Sequence, residues 1–392
     1  MLSHRNLISN VLATSEVLPL DSSDVELSFL PLSHIFQRHV DYAAMYAGSA
    51  IAYAENMSAV GKNFAEVRPT FAAGVPRFFE KVRLKILSEV ENGPANRRAI
   101  FNWALRAGIR AVRSGRRGFF ASTADRLVFS KIRAGMGGRL RWFVSGGAAL
   151  EREVAEFFYA IGIPILEGYG LTETSPVITF TRPGEARIGS VGRVVGDVSV
   201  RIADDGEVLV RGSNVMNGYF NKSHETQEAL REGWFHTGDI GALDSEGYLR
   251  ITDRKKDLIV TSGGKNVAPQ PIENRLKLIP YFENVVLIGD RRNFISALVV
   301  PNFEALSAYA HSHGIQFIDN ADLLRKNEIL ELAMREIEAR TPDLASFERV
   351  RKIAFIDCPL TVDNGDLTPT LKVRRSIVEA KFRDRIEQLY AA

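Results

Sequence analysis

A chain of 392 residues, 45% of them hydrophobic, is longer than one compact domain needs and can bury a sizeable core, so two domains are expected. Fifty basic residues against 47 acidic ones leave a net charge of only +3, which gives no electrostatic case for nucleic acid and points to small ligands as partners. A single cysteine, Cys358, excludes an intramolecular disulfide framework and a multi-cysteine metal site, and no run reaches the roughly 20 apolar residues of a membrane span or forms a signal-peptide core, so a cytoplasmic protein is expected.

Met1-Leu-Ser-His-Arg-Asn-Leu opens directly into a helix-like pattern, with no strand before it. Residues 25–30 read as a strand running into Pro31-Leu-Ser-His34-Ile-Phe36, where His34 between apolar neighbours is by default a wall residue. From 38 to 91 the pattern alternates: helix 38–47, strand 50–54, helix 58–66, strand 70–75, then a helix from Pro76, where proline suits the first helical position. Residues 96–120 interleave seven arginines with Phe101, Trp103, Leu105, Phe119 and Phe120. The favoured reading is a surface helix with a solvated basic face; peripheral contact with an anionic membrane through 97–120 is the alternative.

Residues 139–144 form a strand ending in Ser145-Gly146-Gly147, with a helix over 150–159, and a glycine turn of this kind lets backbone approach a ligand. The apolar run 161–166 predicts a buried strand leading into Glu167-Gly168-Tyr169-Gly170-Leu171-Thr172-Glu173. Gly168 and Gly170 are expected to carry the backbone out of that strand through a turn whose N–H groups face an anion. Thr172 offers a hydroxyl and Glu173 a hard oxygen ligand, a pairing suited to a Mg²⁺-bound phosphate, and Tyr169 can lie against a base. A polar strand-to-loop turn in water is the competing reading.

Short strands follow at 187–195, 198–202 and 207–211, with Asp204-Asp205-Gly206 as a hairpin turn. In Gly233-Trp-Phe-His-Thr-Gly-Asp239, the aspartate between glycines suits two ribose hydroxyls, against a plain turn aspartate. The charge cluster Asp253-Arg254-Lys255-Lys256-Asp257 suits a linker, and Gly263-Gly264-Lys265 forms a glycine loop before a helix at 269–278. Residues 254–392 then read as an α+β domain, with strands 284–289, 295–300 and 352–357 and helices near 302–312, 320–339 and 372–389. Lys372 closes Leu367-Thr-Pro-Thr-Leu-Lys372 at a loop-to-helix junction, where a surface lysine is the default.

Eight of these stretches, in order, resemble the adenylate-forming superfamily and specifically its long-chain fatty acid–CoA ligases: those at 31–36, 75–81, 145–147, 167–173, 233–239, 253–257, 262–266 and 367–372. The resemblance implies an α/β fold: an AMP-binding N-terminal domain over 1–253, with an α/β subdomain and a small β-rich one, then a C-terminal lid domain over 254–392. It implies ATP, Mg²⁺ and coenzyme A alongside a fatty acid, with acyl-AMP formed first and the thioester second. Thr172 then contacts phosphate, Glu173 holds Mg²⁺, Gly168, Tyr169 and Gly170 border adenine, and Asp239 and Arg254 grip the ribose. Lys372 bridges carboxylate and phosphate, His34 and the loop at Gly147 line the acyl end, Gly263, Gly264 and Lys265 face the pantetheine, and Lys256 is the hinge.

Family members carry a phosphate loop ahead of the segment like Met1-Leu-Ser-His, so adenylation by 1–392 alone is expected to be severely impaired. The complete ligase is the lineage's expected function. The alternatives are a non-catalytic remnant that binds nucleotide or acyl-adenylate, a partner for a separate N-terminal piece, and an acyl-AMP ligase serving a carrier protein.

Overall fold

The computed structural model describes residues 1–116, 118–185, 187–368 and 373–391, which divide into two compact units, Met1–Ile251 and Thr252–Ala392. The first unit is built on a seven-stranded sheet. Its strands are β1 (Val25–Ser28), β2 (Ala50–Tyr53), β3 (Phe71–Gly74), β4 (Trp142–Ser145), β5 (Ile165–Gly170), β6 (Val177–Phe180) and β7 (Arg193–Val194), in the order 2-1-3-4-5-6-7. The first five pair in parallel, β6 pairs antiparallel with β5, and β7 pairs antiparallel with β6.

The helices between them start where the sequence provides caps. In α1 (His4–Ser15), Ser3 and Asn6 form a reciprocal capping box. The ring of His34 accepts from the Phe36 N–H at 3.2 Å and caps α2 (Ile35–Ala47), which Gly48 closes at φ 73°. α3 (Val60–Val67) precedes β3, and α4 (Pro76–Glu91) carries proline at its first position. α5 (Ala95–Ser114), α6 (Phe119–Ala124) and α7 (Ser130–Gly135) form a helical excursion before β4, and α8 (Arg152–Ala160) links β4 to β5. Phe64, Phe79, Phe143, Phe157 and Phe158 are buried in a chain of ring contacts from α3 and α4 across β4 to α8. Each such pair adds about 0.5–1.5 kcal/mol beyond area burial.

A second sheet of five strands follows, centred on β9 (Glu207–Arg211) and β11 (Trp234–Leu243); β8 (Ser199–Ile202) and β10 (Leu230–Arg231) flank them. The hairpin at 204–206 is present, with Gly206 at φ 84°. In the second unit, Phe282–Ile288 and Ile295–Pro301 pair antiparallel and Val350–Phe355 joins in parallel, while Ile259–Val260 and Asn266–Val267 form a separate hairpin.

Several expectations are corrected. Ile161–Pro164 is not strand but the end of α8 and a turn at Gly162; Ile161 and Ile163 are fully buried there without belonging to a strand. Within 187–195 only Arg193–Val194 is strand. The helices expected at 320–339 and 372–389 are each broken, into Asn320–Leu323 and Asn327–Arg340, and into Arg375–Lys381 and Arg383–Tyr390.

Candidate nucleotide site

In the order 2-1-3-4-5 the connections run to one side from β1 and to the other from β3, and ligands bind beyond the carboxyl ends of strands at such a switch point. Gly74, Ser145 and Glu167 lie in register across β3, β4 and β5, so the loops after these strands leave one edge together. The loop after β1 reaches over the same edge: Phe29 packs on Phe78 with ring centroids 4.8 Å apart, and Phe36 lies so close to Gly146 that a Cβ there would be 3.2 Å from its ring. Gly147 adopts φ 84°, a backbone that glycine alone takes without strain. His34, expected as a wall residue, is half-buried and caps α2 at the end of this loop.

The central motif is held differently from the expectation. Gly168 and Gly170 are not in a turn; both lie within β5, paired with β6. A Cβ on Gly170 would stand 1.7 Å from the Pro176 carbonyl oxygen, so glycine is required by backbone approach and not by conformational freedom. The turn comes later, at Thr172–Thr174, with Ser175 at φ 65°. Two asparagines hold it, and a third holds the segment that carries one of them. Asn10 on α1 donates to the Val177 carbonyl at 2.7 Å and accepts from the Val177 N–H at 2.9 Å. Asn214 donates to the Thr174 carbonyl at 2.9 Å, and Asn6 donates to the Ser213 and Val215 carbonyls.

The same segment supports Glu173. Its carbonyl accepts from the Met216 N–H at 2.8 Å, and its Oε1 accepts from the Tyr219 hydroxyl at 2.9 Å. Burial and the Glu173 carboxylate push the Tyr219 hydroxyl up to about 12, so it stays a donor at neutral pH. Thr172 is exposed at the start of the turn. Two buried carboxylates stand close in sequence or space. Burial raises Glu167 to about 8. Asp239 lies on β11 just past a bulge at Gly238, φ 69°, and accepts from the Tyr169 hydroxyl at 2.8 Å.

Asp239 is therefore in a strand and not a turn, and the fold joins it to Tyr169, as the spacing of 70 residues alone does not show. Sequence reasoning missed Asn6, Asn10, Asn214 and Tyr219. The available signal was Asn6 and Asn10, polar side chains four apart on the buried face of α1 beside Val11 and Thr14.

In the second unit Arg254 ends a strand and donates its N–H to Asp253 Oδ1 at 2.6 Å; burial raises Asp253 to about 6. Lys256 is exposed in the turn 255–257. Gly263, Gly264 and Lys265 form the exposed tip of the hairpin, with Gly264 at φ 71° and Lys265 Nζ 5.9 Å from the Phe347 ring centroid. Lys372 lies outside the described residues.

Comparison with known proteins gives the family. Residues 1–220 match the family described as AMP-binding enzyme, and 256–392 match its C-terminal domain. The chain belongs to the AMP-binding enzyme family. A curated member, long-chain-fatty-acid–CoA ligase FadD15 of Mycobacterium bovis, is 35% identical over 99% of this chain, which spans 66% of that relative's length. Long chain acyl-CoA synthetase 8 of Arabidopsis thaliana is 32% identical over the whole chain, which spans 59% of it. Among solved members of this fold, the adenylation domain of a carboxylate reductase from Mycobacterium chelonae superposes with a TM-score of 0.75 at 22% identity, covering 98% of this chain and 57% of that one. The fold is thus an α/β adenylation body followed by a small C-terminal domain.

Proposed function

We propose that this chain holds an acyl-adenylate and that its reaction is that of a long-chain fatty acid–CoA ligase. A fatty-acid carboxylate oxygen attacks the α-phosphorus of ATP and pyrophosphate leaves. The sulfur of coenzyme A then attacks the acyl carbonyl carbon, forming the thioester and expelling AMP. One observation carries the reading: the hydrogen bond from Tyr169 to Asp239, which sets an aromatic ring beside a buried carboxylate at the carboxyl edge of the sheet. A ring and a carboxylate so placed suit a base and a ribose diol. The relatives named as fatty acid–CoA ligases support the acyl class.

In this reading Tyr169, with Gly168 and Gly170, borders the adenine, and Asp239 accepts from the ribose hydroxyls with help from Arg254. The Thr172 hydroxyl donates to phosphate. The donor set at the turn is one carboxylate, Glu173, steadied by Tyr219; it fits Mg²⁺ that arrives on phosphate oxygens, which needs only one or two protein carboxylates. Bound there, Mg²⁺ neutralises charge on those oxygens. Lys372 places its charge on the attacking carboxylate and the α-phosphate, in a step governed by positioning and electrostatics. The loops at His34 and Gly147 line the acyl end. Gly263, Gly264 and Lys265 serve the coenzyme A step, with Lys256 as the pivot between the two half-reactions.

The test supplies purified 1–392 with pre-made palmitoyl-adenylate and either coenzyme A or a phosphopantetheinylated carrier protein. Palmitoyl-CoA formed faster than without enzyme, and slowed by replacing Gly264 with a bulky residue, is expected. Acyl transfer to the carrier alone would make the chain an acyl-AMP ligase, and no transfer to either would contradict the proposal.

A further inference from the structure

The charge of this chain is unevenly spread. From Asn92 to Leu150 there are twelve Lys or Arg and one acidic residue, Asp125, a surplus of eleven in a chain of net +3, so everything else is net −8. The apolar side of α5 is largely spent on the core: Phe101, Ala104, Ala107 and Gly108 are buried, and Ile100, 50% exposed, is its one strongly exposed large apolar side chain. The other apolar residues of this region that face water lie beyond its end. Phe119 is 79% exposed, Phe120 62% and Leu127 54%, and the two phenylalanines pack edge to face on each other with centroids 5.8 Å apart. Arg110, Arg116, Arg126 and Lys131 surround them in sequence, all exposed, none paired with a carboxylate among the described residues. Arg113 is not part of this set, because its guanidinium is bound to Glu156, and Asp125 is neutralised by Arg133.

We propose that the tip formed by α6 and the segment up to Lys131 docks on an anionic lipid bilayer, with Phe119 and Phe120 inserted at the acyl boundary and Arg110, Arg116, Arg126 and Lys131 over the headgroups. The charge surplus matches a negative surface, and two adjacent exposed rings at a helix start match the shallow insertion that interfacial anchors use. A nucleic acid would share the charge preference but gives no role to Leu127, and a phosphate ion alone gives none to the rings.

The experiment is co-sedimentation of purified 1–392 with phosphatidylcholine vesicles and with vesicles containing phosphatidylglycerol, at low and high salt. Wild type is expected to pellet with the anionic vesicles only, and less at high salt. The exposed double substitution Phe119→Ser/Phe120→Ser and the charge reversal Arg116→Glu/Arg126→Glu are each expected to weaken binding by about tenfold or more, with melting temperature unchanged. Phe120→Trp supplies a second reading: the fluorescence of the introduced indole should shift to the blue and be quenched by brominated acyl chains. Wild type that stays in solution with anionic vesicles, variants that pellet as wild type does, or a Phe120→Trp protein whose added emission is indifferent to brominated lipid would each overturn the proposal.

Discussion

Gly170 sits in a strand with the Pro176 carbonyl 1.7 Å from where its Cβ would be, whereas Gly263 and Gly264 head an exposed hairpin with no atom closer than 4.0 Å to a Cβ at either position. Around the first stretch, Asn10 and Asn214 tie the backbone to α1 and to the segment after β9, Tyr219 holds the Glu173 side chain, and Asn6 joins α1 to that same segment. Around the second, the hydrogen bonds are mostly the loop's own: Thr261 with Lys265, and Gly264 with the Thr261 carbonyl. Two similar glycine runs thus have opposite purposes. One is held in place by close backbone approach and by side chains from other elements; the other is closed mainly by its own hydrogen bonds.

The strongest way to break this contrast is Gly170→Ala. Backbone, and not a flexible side chain, stands in the way, so a loss of about 3 kcal/mol or more is expected, read as a fall in denaturation midpoint. Asn10→Ala should come next, at about 1–3 kcal/mol, because it strands the buried Val177 N–H and leaves the Val177 carbonyl only its second donor, Asn214. Gly264→Ala should cost about 1 kcal/mol, the strain of a left-handed φ without any clash. If Gly264→Ala proved as damaging as Gly170→Ala, the two stretches would not differ as argued.

Glu167 sharpens the picture through pH. Its folded value of about 8 lies above the 4.5 of an ordinary glutamate, so the folded protein retains a proton that the unfolded chain releases. Its contribution is fully present below the unfolded value and is lost as pH rises to about 8. Glu167→Gln should therefore flatten the decline in stability between these limits and leave the variant the more stable protein at alkaline pH. A melting curve with the wild-type slope in this window would contradict the assigned burial.

The alternation of short apolar runs with amphipathic segments between 25 and 91 was enough to place β1, β2, β3 and their helices, since period and length separate a four-residue strand from a helix. The pattern could not separate packing from pairing at Ile161–Pro164, where a buried helix end and turn produce the same run of apolar residues as a strand. It also misread Gly168 and Gly170, because glycine for close approach and glycine for a turn are the same letter. Glu173 stood out beside Thr172 as a candidate hard ligand, but Tyr219 did not stand out at all: its partner lies 46 residues away and nothing local marks it. Asp239 drew attention through the density of its neighbours, while its partner Tyr169 emerges only when β11 and β5 are placed.

The central claim is that Tyr169 and Asp239 form one nucleotide-binding unit. It is tested most directly by calorimetric titration of purified 1–392 with a stable acyl-sulfamoyl-adenosine, alongside Asp239→Ala. Binding by the wild type, weakened by about tenfold or more in the variant through loss of charge-assisted hydrogen bonds to the ribose, is the predicted result. Equal affinity of the two proteins, or no binding by a wild type that melts cooperatively, would contradict it.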